Sequence, residues 1–173
     1  MKFLLWICVF FIGLSQGYVR LTNLKCESLD KSYIDFPECR LKVLGRGIIG
    51  ANIHVKLLKI PVNKMIIRFI TYRKLSGYHP FLFNVSKDLC RTLKYPNRQD
   101  VFYYVYRAFL PFSNLNHTCP YNNDVYVKNC TLDERMFSKV PLPKGTYLLT
   151  LEMNDGIINW VSIVSVYFDI DMD

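Results

Sequence analysis

Residues 145–170 read GTYLLTLEMNDGIINWVSIVSVYFDI, and this stretch decides the fold class. Gly145-Thr146 opens a strand that runs from Tyr147 to Met153. Asn154-Asp155-Gly156 then supplies residues that tolerate the positive φ of a tight hairpin turn. From Ile157 to Ile170, Trp160, Ser162, Val164, Val166 and Phe168 step by two, which is the period of a strand with one buried face.

The same period appears upstream. Ala51, Ile53, Val55 and Leu57 alternate with Asn52, His54 and Lys56, and Pro61 ends the run. Met65, Ile67, Phe69 and Thr71 alternate with Ile66, Arg68, Ile70 and Tyr72. The connection from Pro61 to Lys64 is short enough to predict a hairpin between these two strands. Shorter strands are expected near Arg40–Leu44 and at Val125–Val127. Two segments differ. Ser86 is placed to cap a helix over Lys87–Leu93 that stops at Tyr95-Pro96. Phe102, Val105, Tyr106 and Phe109 recur at helical spacing before Pro111, although the aromatic and β-branched run Val101–Tyr106 also suits a strand. Many short strands separated by turn signals predict an all-β, two-sheet sandwich with one or two short helices.

Residues 1–17 read as a secretory signal peptide: Lys2, an apolar run from Phe3 to Leu14, and the small-x-small site Ser15-Gln16-Gly17. A membrane span needs about 20 apolar residues, and Gln16, Arg20 and Lys25 interrupt this run too early. No later apolar run is long enough, because Arg68 and Asn159 divide the best ones. The expected product is one secreted domain over residues 18–173, without a transmembrane segment. It carries Cys26, Cys39, Cys90, Cys119 and Cys130, an odd set for an oxidising compartment. Sequence alone leaves the connectivity open. Spacing favours Cys26 with Cys39 and Cys90 with Cys119, leaving Cys130 free or bonded to a partner. Sequons at Asn84, Asn116 and Asn129 suit the same compartment.

No catalytic, metal or cofactor constellation emerges. A Cys–His pair would have to use Cys130 with His54, His79 or His117, and no family-type local signature surrounds that cysteine. No two histidines sit three or four apart, and no C-x-x-C is present. Asp169, Asp171 and Asp173 read as a solvated acidic tail. Gly45, Gly47 and Gly50 lack the Lys-Ser/Thr of a phosphate loop. The formal charge of +8 is clearly basic, but export and the lack of a recognition motif argue against nucleic acid. Lys56, Lys59, Lys64, Arg68, Arg73 and Lys74 cluster on the expected hairpin, which makes Lys56, Lys64 and Arg68 candidate contacts for an anionic head group. Twelve Phe and twelve Tyr would fill a core or line a cavity.

Three blocks carry a resemblance: Gly77–Cys90, with its Asp88-Leu89-Cys90 end; Phe112–Tyr121, with Asn116-His117-Thr118-Cys119-Pro120-Tyr121; and Pro141–Tyr147. With the Thr22-Asn23-Leu24-Lys25-Cys26 opening, the chain resembles small secreted insect proteins, expanded in fruit flies, that carry a domain of unknown function and are related to the CheB chemosensory proteins. The resemblance implies an immunoglobulin-like sandwich of the ML lipid-recognition type. The family's cysteines look like Cys26, Cys39, Cys90 and Cys119, with Cys130 a departure. The implied function is binding rather than catalysis. One form is a carrier of a lipid, fatty acid or pheromone-like molecule in chemosensation. The alternative is an extracellular interaction module with a filled core, acting on a receptor, channel or glycan.

Overall fold

The computed structural model describes residues 17–137, 142–157 and 159–172. Most of the expected leader, and Asp173, lie outside that range; Gly17 is the first residue of β1. Among the described residues, eight strands make two antiparallel sheets. The larger runs in the order β1 (Gly17–Ser28), β8 (Trp160–Met172), β7 (Gly145–Asn154), β4 (Ile66–Lys74), β5 (Tyr78–Asp88). The smaller is β2 (Ile34–Gly45), β3 (Ile48–Leu57), β6 (Val125–Cys130). Two helices, α1 (Leu89–Lys94) and α2 (Val101–Phe109), lie between β5 and β6 in the chain. The expected sandwich is the fold found.

The difference in sheet width explains where the helices go. Two extra strands add about 10 Å to the larger sheet, which is the diameter of one helix. At one side β1 packs on β2, tied by the Cys26–Cys39 disulfide. Toward β5 the larger sheet outreaches the smaller, and α2 covers the overhang. Phe102 of α2 packs on Phe69 of β4, ring centroids 6.4 Å apart, and Phe69 in turn meets Phe83 of β5. The Cys90–Cys119 disulfide ties α1 to the segment that returns toward β6.

The hairpin predicted between the strands that become β3 and β4 is not formed. β3 lies in the smaller sheet and β4 in the larger, so the connection crosses between the layers. Val62 and Met65 on that crossing are buried. Val62 exchanges backbone hydrogen bonds with Tyr121 at 2.9 and 3.1 Å, which anchors it to the loop before β6. Each strand buries one face against the common core, so the alternation fits a crossover as well as a hairpin.

Ser86 stays in β5, and Asp88 caps α1 instead by accepting from the Arg91 amide at 3.0 Å. The Val101–Phe109 segment takes its helical alternative, capped by Asp100. The turn between β7 and β8 is wider than a two-residue hairpin, since β8 starts at Trp160. Gly156 sits there at φ 80° with the Lys64 methylenes packed where a Cβ would stand. The register slips between Met153 and Asn154. Val161 is thereby delivered to the core, and Trp160 lies against the Arg68 guanidinium, 4.5 Å from its ring centre.

Candidate functional site

The interior between the layers is not solid. Three voids of about 160, 150 and 70 Å³ follow one another along it. The first, nearest Val62 and Met65, is walled by both sheets and adjoins the second, with which it shares wall residues such as Ile53, Ile67, Val127 and Val164. The second lies under α2 and shares Phe69, Val105, Phe109 and Val166 with the third. The third runs between α2 and the larger sheet as far as Met136 and Phe137. Beyond it an open groove of about 660 Å³ carries Arg98, Tyr103, Arg107 and Asp133, and it shares Tyr104, Ala108 and Met136 with the third void.

The helical spacing of α2 makes this arrangement. Phe102, Val105, Tyr106 and Phe109 turn one stripe to the middle void, while Tyr103 and Arg107, four apart, share the groove face. Arg98 precedes the cap residue Asp100, which accepts from the Phe102 amide at 2.9 Å and so fixes the start of the helix.

Polar groups on the walls of the voids are few and mostly internally satisfied. The Tyr106 hydroxyl donates to the Leu115 carbonyl at 2.5 Å, and that of Tyr121 to the His117 carbonyl at 2.5 Å. Burial pushes the Tyr121 phenol up to about 12. The Thr71 hydroxyl donates to the Phe81 carbonyl and accepts from the Phe83 amide, bridging a bulge in β5 where Leu82 has φ 62°. Ser113 Oγ, on the wall of the middle void, is buried without a hydrogen-bond partner. Cys130 shares that wall as a free, buried thiol, pushed up to about 12 by desolvation.

The structure pairs Cys26 with Cys39 and Cys90 with Cys119. Asn84, Asn116 and Asn129 are all exposed. It separates the three basic candidates. Lys56 is exposed on the smaller sheet, Lys64 lies on the crossing beside Gly156, and Arg68 on the larger sheet is paired with Glu152. None of the three lines the voids or the groove. His54 Nε2 donates to the Asp124 carboxylate at 2.7 Å, and the ring stacks on Tyr126, centroids 4.4 Å apart. It alternates with the inward residues Ile53 and Val55, so it lies on the opposite face of the sheet from Cys130. His79 and His117 are exposed. Asp171 pairs with Lys144. Among the described residues no three His, Cys, Asp or Glu side chains gather as a metal set would, and no helix is long and apolar enough to cross a membrane.

Arg98 and Arg107 escaped the sequence reading, which followed the apolar stripe of this helix. The signal was Arg107 on the face opposite it, and Arg98 in the segment before the Asp100 cap. Residues 67–149 match the family model described as "Protein of unknown function (DUF1091)". The matched stretch runs from β4 into β7 and contains α1, α2, the Cys90–Cys119 bridge and the groove. No curated protein matches the chain.

Proposed function

We propose that the protein is a secreted binding protein that holds a lipid or other hydrophobic small molecule between its sheets. The observation that carries this reading is the line of three voids with shared apolar walls. Protein interiors are ordinarily packed with few spaces larger than a water molecule. An unfilled cavity of 150 Å³ would cost about 4 kcal/mol at the ~24 cal/mol per Å³ found for core truncations. A chain whose only task was to present a surface would gain by filling it. No single void reaches the ~300 Å³ of an ordinary small-molecule pocket, so the space suits a narrow chain better than a compact ring system. A twelve-carbon tail would contribute roughly 9 kcal/mol before ordering costs.

The two disulfides suit an oxidising compartment, and the resemblance to ML-type and CheB-related proteins favours a role in chemosensation. No catalytic role is proposed. Native mass spectrometry of the protein purified from its own tissue tests the reading: a co-purified apolar small molecule is expected. A bare mass, together with no displacement of a fluorescent apolar probe, would count against it.

One observation favours the alternative, an interaction module working on an extracellular receptor, channel or glycan. The β2–β3 hairpin tip exposes Val43, Leu44 and Ile48 beside Lys42 and Arg46. If the cavity proves empty under all conditions, this tip is the surface to test.

A further inference from the structure

We propose that the groove between α2 and the turn Glu134–Phe137 is the mouth of the cavity, and that Arg98 and Arg107 there hold the anionic head of a single-chain amphiphile. The inference rests on the carrier reading above and adds to it a ligand class and an orientation. Three observations place the head here. The groove and the third void share Tyr104, Ala108 and Met136 as wall, so apolar space lies directly behind this point on the surface. Arg98 and Arg107 are both exposed, and neither has an ion-pair partner among the described residues. At the far end, the void nearest Val62 and Met65 is lined by aliphatic residues and Tyr121, whose hydroxyl is already committed to a carbonyl. A charged head would be stranded there.

The chemistry of the mouth selects the charge. Among the described residues, Arg98 and Arg107 line the groove together with one carboxylate, Asp133, and a guanidinium fork matches the oxygens of a carboxylate or phosphate. Tyr103 and Tyr104 add aromatic wall on which the first methylenes of the chain rest. The small volumes of the voids, about 70 and 150 Å³, suit one chain rather than two. The tail then runs past Phe69 and Val105 toward Val127 and Val164, leaving the head at the surface.

Displacement of phenylnaphthylamine from the full-length, oxidised protein at low salt tests this, with dodecanoate, dodecyl phosphate and dodecanol as competitors. Both anions should bind at least about tenfold more tightly than the alcohol. In Arg98→Gln/Arg107→Gln that advantage should disappear, with dodecanol within about twofold of its wild-type affinity. The retained alcohol binding shows that the variant is folded. Which anion binds better distinguishes a carboxylate from a phosphate ligand, and either result supports the assignment. Lys56→Gln/Lys64→Gln should leave all three affinities unchanged. If the alcohol binds the wild type as well as the anions do, or if the advantage is lost at Lys56 and Lys64 instead, the head-group assignment is overturned and the carrier reading stands. If none of the three binds, both fall.

Discussion

Lys87, on the edge strand β5, donates to Asp100, the cap of α2, at 2.7 Å. This pair ties the helix that roofs the cavity to the sheet that floors it. The same carboxylate accepts from the Phe102 amide, so one side chain both starts the helix and attaches it.

Asp100→Ala should therefore destabilise the protein by about 1 kcal/mol or somewhat more through the lost cap. Asp100→Asn keeps an oxygen for the amide and should cost less, since a partly exposed ion pair contributes under about 1 kcal/mol. Urea unfolding at neutral pH measures both. The hydrogen bond from Lys87 does most to hold the Asp100 carboxyl below its ordinary value of 3.8, with the Phe102 amide adding to it and partial burial opposing. A carboxyl lowered in the folded state contributes fully above its unfolded value and loses that contribution as pH falls through the folded one. The gap between wild type and Asp100→Asn should accordingly be full at pH 6 and close below about pH 4. A gap that widened in acid would contradict the pairing.

Cys130 should resist alkylation in the native protein. Its thiol is 2% exposed, and its pKa is raised from 9.0 to about 12 by desolvation alone. Thiolate is the reactive form, so iodoacetamide at pH 8 should modify no cysteine until denaturant is added, and then one. The sign for stability follows: the contribution of the buried neutral thiol is complete below pH 9 and declines as pH rises toward 12. Rapid native labelling would mean that the middle void is open to solvent at Cys130.

Asn84 and Asn116 should carry glycans in protein secreted from eukaryotic cells. Both are exposed, Asn84 on the edge strand β5 and Asn116 in the loop before β6. Asn129 is exposed too, but its sequon encloses the buried Cys130 and its backbone sits at φ 50°. The glycosidase-induced mass shift should vanish in Asn84→Gln/Asn116→Gln. A shift of undiminished size would assign the glycan to Asn129.

Where the strand period is unbroken, sequence was enough: β3, β4 and most of β8 follow from alternation, while β7 follows from the turn residues that bound it. β1 was missed because its register slips between Leu21 and Asn23, so its inward residues Leu21 and Leu24 fall three apart. β5 was missed for a related reason. Its inward residues Phe81, Phe83 and Val85 do alternate, but Pro80 and the left-handed Leu82 obscure them. The partner of each strand was less legible than the strand itself. Alternation states which face is buried and not which sheet buries it, so β3 and β4 were joined when they lie in opposite layers. The basic residues Lys56, Lys64 and Arg68 were grouped by that expected hairpin, and they fall on separate elements instead. The voids have no sequence signature, because a filled core and a hollow one use the same apolar residues.

Filling the cavity should separate those two cases most directly. Val127 and Val164 face each other across the junction of the first two voids, from β6 and β8. In a solid core, enlarging both would force side chains off their rotamers and cost about 1–3 kcal/mol. Here each added methylene has space to enter, and burying one contributes about 0.8 kcal/mol. Val127→Leu/Val164→Leu is thus expected to unfold at the same or a higher urea concentration than the ligand-free wild type. The same substitutions narrow the passage that a tail would follow past α2. Affinity for a twelve-carbon amphiphile should fall by about tenfold or more, while a six-carbon analogue, which ends before the junction, should bind nearly as before. Chain-length dependence is the informative readout, because general damage to the fold would weaken both ligands alike. A clear loss of stability would mean that the interior is already packed, and the exposed Val43–Ile48 hairpin tip would then become the better place to look for function.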